Sequence, residues 1–256
     1  MRVDRSAAAP LAGTFNSLSA DRLVDEKAGD VAQYGLATPA MEVIVTQTNG
    51  KTVTLQLGDD VPTGSGAFAK LADDAKIYSL ASFNKTALDK NAKDLRDKRL
   101  LTFDQDKLSR LELTAKTATF EFGKNNQNEW QIVKPKPLRA DGGQVEELIR
   151  KLKDAKMDPS VSDEDAKKAA AAFAGSAAIA SVKVTDNTGT QQLDVRKAKD
   201  NTYYAKSSVV EGVQKITADV GDGLDKGLDT YLNKKVFDFG FSDPSKVELR
   251  DGGKLL

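Results

Sequence analysis

Apolar and polar positions along this chain keep a helical period, switch to a period of two, and then do the same again. In the later part, Val145, Leu148, Ile149 and Leu152 fall at i, i+3, i+4 and i+7, the signature of one buried helix face. Asp141 is placed to cap that helix, with Gln144 three residues on as in a capping box. A second helix is predicted from a Ser162 cap to Gly175, with acids at Asp163 to Asp165 in its first turn. Val182 and Val184, then Leu193 and Val195, alternate with polar residues around Gly189 and read as a β-hairpin. Residues 202–206 and 213–217 read as another. A third helix then carries Leu224, Leu228, Tyr231 and Leu232.

The same order occurs upstream. Leu11, Phe15 and Leu18 keep helical spacing, although Pro10 predicts a later start and Gly13 weakens the helix. A second helix is expected from Asp25 to Tyr34, stopping at Gly35. Met41, Val43 and Val45 pair in pattern with Val53, Leu55 and Leu57 across Asn49-Gly50, a strong hairpin-turn signal. Residues 67–71 and 76–80 form the next hairpin. A third helix is expected from Asn84 with Leu88, Ala92 and Leu95 on one face. Three strands follow at 110–113, 117–122 and 129–133. The downstream copy reaches only residues 246–250 before Gly252-Gly253-Lys254.

Lining the chain up on itself turns this likeness into a repeat. Leu88, Asp89, Lys90, Lys98, Phe103, Ser109, Glu112 and Leu113 recur 136 positions later as Leu224, Asp225, Lys226, Lys234, Phe239, Ser245, Glu248 and Leu249. Gly50 recurs as Gly189, and Arg2 and Asp4 as Arg139 and Asp141. The expected organisation is two tandem α+β repeats, 1–136 and 137–256, each with antiparallel hairpins or sheet and about three helices. Helices and antiparallel strands are segregated, which argues α+β over a parallel α/β fold. The alternation gives each sheet one wet face. The second repeat lacks part of its last sheet, and the chain is expected to be a piece of something longer.

Composition narrows the chemistry. There is no cysteine and no histidine, so thiol nucleophiles, disulfides, thiolate metal sites and imidazole bases are absent from this chain. Lys plus Arg is 38 and Asp plus Glu is 38, so the basic excess of a nucleic-acid binder is missing and no nucleic-acid partner is expected. Neither an apolar run long enough to cross a membrane nor a signal-peptide h-region is visible.

Motifs with a chemical look are better read as structure. Gly50-Lys51-Thr52 resembles the tail of a phosphate-binding loop, but Val45 stands where the first glycine is needed and the context is a hairpin tip. Ser82 and Lys85 fit a Ser-x-x-Lys spacing without its companion motifs, and the second copy has no such lysine. Asp219, Asp222, Asp225 and Asp229 lack calcium-loop spacing. Lys93, Arg96, Lys98 and Arg99 suit a helix C-terminus. The basic stretch from Lys134 to Arg139 has prolines that mark a linker between repeats. Trp130, on one strand face with Ile132, reads as core. No catalytic, cofactor-binding or metal-binding residue is assigned, and no cofactor.

Tyr34-Gly35-Leu36-Ala37-Thr38-Pro39 before a strand, the run from Leu95 to Asp104 leading into Arg110-Leu111-Glu112-Leu113, and Trp130-Gln131-Ile132-Val133-Lys134-Pro135 before Ala140-Asp141 together resemble domain-of-unknown-function family 4340, in two successive copies. Phe173-Ala174-Gly175 replaces Tyr-Gly-Leu in the second. Members are typically bacterial, with one N-terminal membrane anchor, a large extracytoplasmic part, and genes beside gliding-motility-type ABC transporter components. The resemblance carries no catalytic residues. It implies an extracytoplasmic protein tethered by an anchor this chain lacks, with the first copy truncated at its N-terminus. The expected function is a non-catalytic accessory module that contacts protein partners in a membrane-associated, transporter-linked complex. The alternatives are a glycan or envelope-polymer binder, with Phe68, Trp130, Tyr203 or Tyr204 exposed in a groove, and a Ser- or carboxylate-based hydrolase.

Overall fold

The computed structural model describes residues 2–62, 66–115, 117–237 and 244–255. The chain divides into two compact units, Met1–Asp97 and Lys98–Leu256.

In the first unit, α1 (Arg5–Ser17) starts at an Asp4 cap that accepts from the Ser6 amide. It starts earlier than Pro10 predicts and runs through that proline. The run Ser6-Ala7-Ala8-Ala9 before it suits a helix, and the Asp4 cap compensates part of the bond that Pro10 cannot donate. The helix expected from Asp25 to Tyr34 does not form. Its start belongs to β1 (Arg22–Asp25), and only a 3-10 turn, Ala32–Tyr34, remains. Asp25 and Asp30 accept bonds from the Lys27 and Ala32 amides, local turns that compete with a helical ladder.

β2 (Met41–Thr46), β3 (Thr52–Asp60), β4 (Gly66–Leu71) and β5 (Ile77–Ala81) follow as antiparallel hairpins. The five-stranded sheet has the order β1-β5-β4-β3-β2. The single helix expected from Asn84 is two, α2 (Ser82–Leu88) and α3 (Ala92–Leu95), because Asn91 and Asp94 make a capping box that restarts the backbone. Leu57, Ala69, Leu80 and Leu88 form a core with Leu11 and Phe15 of α1 on one sheet face. Phe68 and Ile77 join Leu36, Val61 and Tyr34 on the other. This sheet therefore carries apolar clusters on both faces, where alternation alone predicted one wet face.

The second unit opens with a meander, β6 (Arg110–Ala115), β7 (Ala118–Lys124), β8 (Trp130–Lys134) and β9 (Leu138–Arg139). Then come α4 (Gly142–Asp154), α5 (Asp163–Ala174), β10 (Ala177–Asp186), β11 (Gly189–Lys197), β12 (Tyr203–Ser207), β13 (Val213–Ile216) and α6 (Ala218–Leu224). A 3-10 turn, Leu228–Tyr231, replaces the rest of the expected third helix after Asp225 and Gly227. β14 (Arg250–Asp251) and β15 (Lys254–Leu255) make a separate hairpin.

The eight-stranded sheet runs β13-β12-β11-β10-β6-β7-β8-β9. Its central joint is β6 against β10, with Leu113 opposite Val182 and Leu111 opposite Val184. Strands of the first sequence repeat and strands of the second thus share one sheet and one core. The segment from Lys134 to Arg139, expected as a linker, is the β8–β9 turn and edge strand of that sheet. The reason is phase: the sequence repeat turns over in this segment, whereas the compact units divide between Asp97 and Lys98. α4 covers the inner face with Val145, Leu148, Ile149 and Leu152, which contribute on the order of 6–12 kcal/mol of burial before chain entropy. Ser162 and Asp141 cap α5 and α4 as their sequences predict, accepting from the Asp165 and Gln144 amides.

Candidate functional site

The repeat makes the two units comparable position by position. Val3 bridges Arg96 as Ala140 bridges Leu232, and the Asp4 amide bonds the Leu95 carbonyl as the Asp141 amide bonds that of Tyr231. By the same correspondence β2 and β3 match β10 and β11: Val43 faces Leu55, and Val182 faces Leu193.

One difference stands out. β10 is covered on its free side by β6. β2 is the terminal strand of its sheet, and among the described residues no strand lies beyond it. Val182 and Val184 are fully buried, while their counterparts Val43 and Val45 are only half-buried. Ile44 is 64% exposed. The strand Met-Glu-Val-Ile-Val-Thr has no proline, no lysine and one charge, so it lacks the usual defences of a sheet edge.

The second unit holds the complementary element. The β14–β15 hairpin pairs Arg250 with Leu255 and Asp251 with Lys254. These positions correspond to Thr114 with Thr119 and Ala115 with Ala118 in the β6–β7 hairpin. Gly252 and Gly253 take φ of 55° and 86°, the left-handed pair of a two-residue hairpin turn. Just before it Val247 and Leu249 are 73% and 66% exposed, whereas their counterparts Leu111 and Leu113 are fully buried. Among the described residues this hairpin joins no other sheet.

The residues with a chemical look are scattered. Lys85 ion-pairs with Asp60 at 2.6 Å and is engaged away from Ser82. Asp222 accepts the Tyr203 hydroxyl, Asp229 pairs with Lys234, and Asp225 ends α6. No metal-holding group of acids occurs among the described residues. Gly50-Lys51-Thr52 sits at the β2–β3 tip, with the Lys51 amide bonded to the Asn49 side chain. Lys93 and Arg96 belong to the first unit, Lys98 and Arg99 to the second. Trp130 is core, as its spacing predicts, and its Nε1 donates to Glu146 Oε1 at 2.6 Å. Phe68 and Tyr203 are buried as well, and Tyr204 is half-buried.

The sequence profile of the family described as Domain of unknown function (DUF4340) matches residues 1–129 and again 130–256. The chain belongs to DUF4340. No curated protein and no solved structure matches it. The junction of the two DUF4340 matches falls just before β8, inside the eight-stranded sheet, so the sequence copies and the compact units are out of step.

The outer face of that sheet is wet and charged. Glu121 receives Lys134 and Arg110 at 2.8 Å each, and Glu112 receives Lys183 at 2.8 Å. The Lys134 bond above all holds the Glu121 carboxyl below its ordinary range, with Arg110 adding to it. Asp186, bonded by the Thr188 side chain and the Asp104 amide, is lowered in the same way. Burial pushes the Tyr231 hydroxyl up to about 12. These are the shifts of a structural ion-pair network, a hydrogen-bonded buried aspartate and a core phenol. The features of this chain that ask for something outside themselves are the β2 edge and the 246–251 segment leading into β14.

Proposed function

We propose that this chain is a non-catalytic accessory module of the bacterial envelope that works by protein contact, within a transporter-associated complex. The open β2 edge carries the reading. An edge strand with half-buried inward valines and an exposed Ile44 offers main-chain bonds and alternating side-chain pockets, the requirements of strand addition. The envelope setting and the transporter link rest on the family likeness. The test is a photoreactive residue at position 44 in the native host, with position 211 in an exposed turn as control. Protein adducts at 44 and none at 211 support the reading. No adduct at 44, or equal adducts at both, refutes it.

A further inference from the structure

We infer that the occupant of the β2 edge is a second copy of this chain, whose residues 246–251 add antiparallel to Met41–Thr46. The inference rests on reading that edge as a protein-docking site. It comes from the repeat. The joint between β6 and β10 is an instance of the same pairing within the chain: residues 110–115 lie on β10 with Arg110 opposite Thr185 and Ala115 opposite Ala180. Residues 246–251 are the repeat counterparts of 110–115, and Met41–Thr46 are the counterparts of residues 180–185.

Transferring that register predicts the side-chain pairs. On the inward face Val247 falls opposite Val45 and Leu249 opposite Val43, placing two exposed apolar side chains on two half-buried ones. On the outward face Arg250 falls opposite Glu42, an opposite-charge cross-strand pair. Glu42 accepts the Gln56 side-chain amide at 2.8 Å, and Arg250 donates to Glu248 at 3.2 Å, both on exposed surface. Glu248 falls opposite Ile44 and Lys246 opposite Thr46, so no like charges meet. Because the two surfaces differ, the contact is heterologous and can propagate from copy to copy.

The experiment measures the mass of the full chain by light scattering across a concentration series. The wild type rises above monomer mass with concentration. Glu42→Lys and Arg250→Glu each weaken association about fivefold or more, and the combined swap restores it. Leu249→Asp, exposed and outside both cores, abolishes association with unchanged circular dichroism. A monomer at every concentration, or a charge swap that fails to restore association, overturns the inference. The position-44 crosslink separates the two claims. An adduct to residues 246–251 of another copy supports both, an adduct to a different protein overturns self-pairing and keeps the docking edge, and no adduct overturns both.

Discussion

Leu113→Ala tests whether the larger unit is one cooperative body built from both sequence copies. Leu113 is fully buried in β6, with Val182 of β10 on one side and Phe120 of β7 on the other. All three belong to a core that also includes Leu148 and Ile149 of α4. Neighbours pinned on strands and a helix cannot collapse far into the vacated volume, so the cost lies in the upper part of the Leu→Ala range, about 3–4 kcal/mol. At about 1.4 kcal/mol per factor of ten, amide protection governed by unfolding of this unit falls about 100- to 1,000-fold. Hydrogen exchange read by peptide should show that fall together in β6, β7, β10 and β11, with β3 and β4 unchanged. If instead β3 and β4 lose protection while β10 and β11 keep theirs, the folding unit is the sequence copy and the phase argument is wrong.

The same phase argument predicts that a fragment of residues 98–235 folds with a cooperative transition, while 137–256 gives none by circular dichroism and urea titration; the shorter piece loses β6 to β8 and uncovers the inner side of β10. In the first unit, Gly58→Ala places a methyl carbon 2.0 Å from the Tyr34 carbonyl oxygen. A backbone shift must follow, so it should cost about 3 kcal/mol in a denaturant midpoint, and a neutral result would refute the close approach. Glu121 has a folded pKa below its unfolded value, so its stabilisation is present above the ordinary glutamate range and fades as pH falls through it. Glu121→Gln should therefore flatten the loss of stability between about pH 5 and 3, and an unchanged slope would mean Glu121 is not a contributor.

Much of the fold was legible because it is written locally. The Asp141 and Ser162 caps, the Asn49-Gly50 turn and the alternating strands depend on neighbours a few residues away, and all formed. The core role of Trp130 followed from its alternation with Ile132. What failed was also local in origin. Leu88, Ala92 and Leu95 keep helical spacing across the Asn91 capping box, since α2 and α3 each continue the apolar pattern, so periodicity could not show the break. The pairing of β6 with β10 was not legible at all. A period of two says which face of Leu111 and Leu113 is buried, but not which strand lies beside them. The open β2 edge was hidden for the same reason: Val43 and Val45 carry the pattern of Val182 and Val184, and only the neighbour differs.

That difference gives the repeat two surfaces suited to docking. Each sequence copy contributes to different sheets an upstream hairpin with an edge strand, β2 or β10, and a downstream segment equivalent to β6 that can lie beside such an edge. In the middle of this chain the meander of the first copy satisfies the strand of the second, and Leu111, Leu113, Val182 and Val184 disappear from solvent together. At β2 and at residues 246–251 the two halves are displayed separately, β2 paired with β3 and Arg250–Asp251 with β15. Selection for burial alone would leave the exposed Val247 and Leu249 free to become polar. The apolar character of Val247 and Leu249, whose counterparts Leu111 and Leu113 form a buried joint, is accounted for if the same joint is made again with another chain.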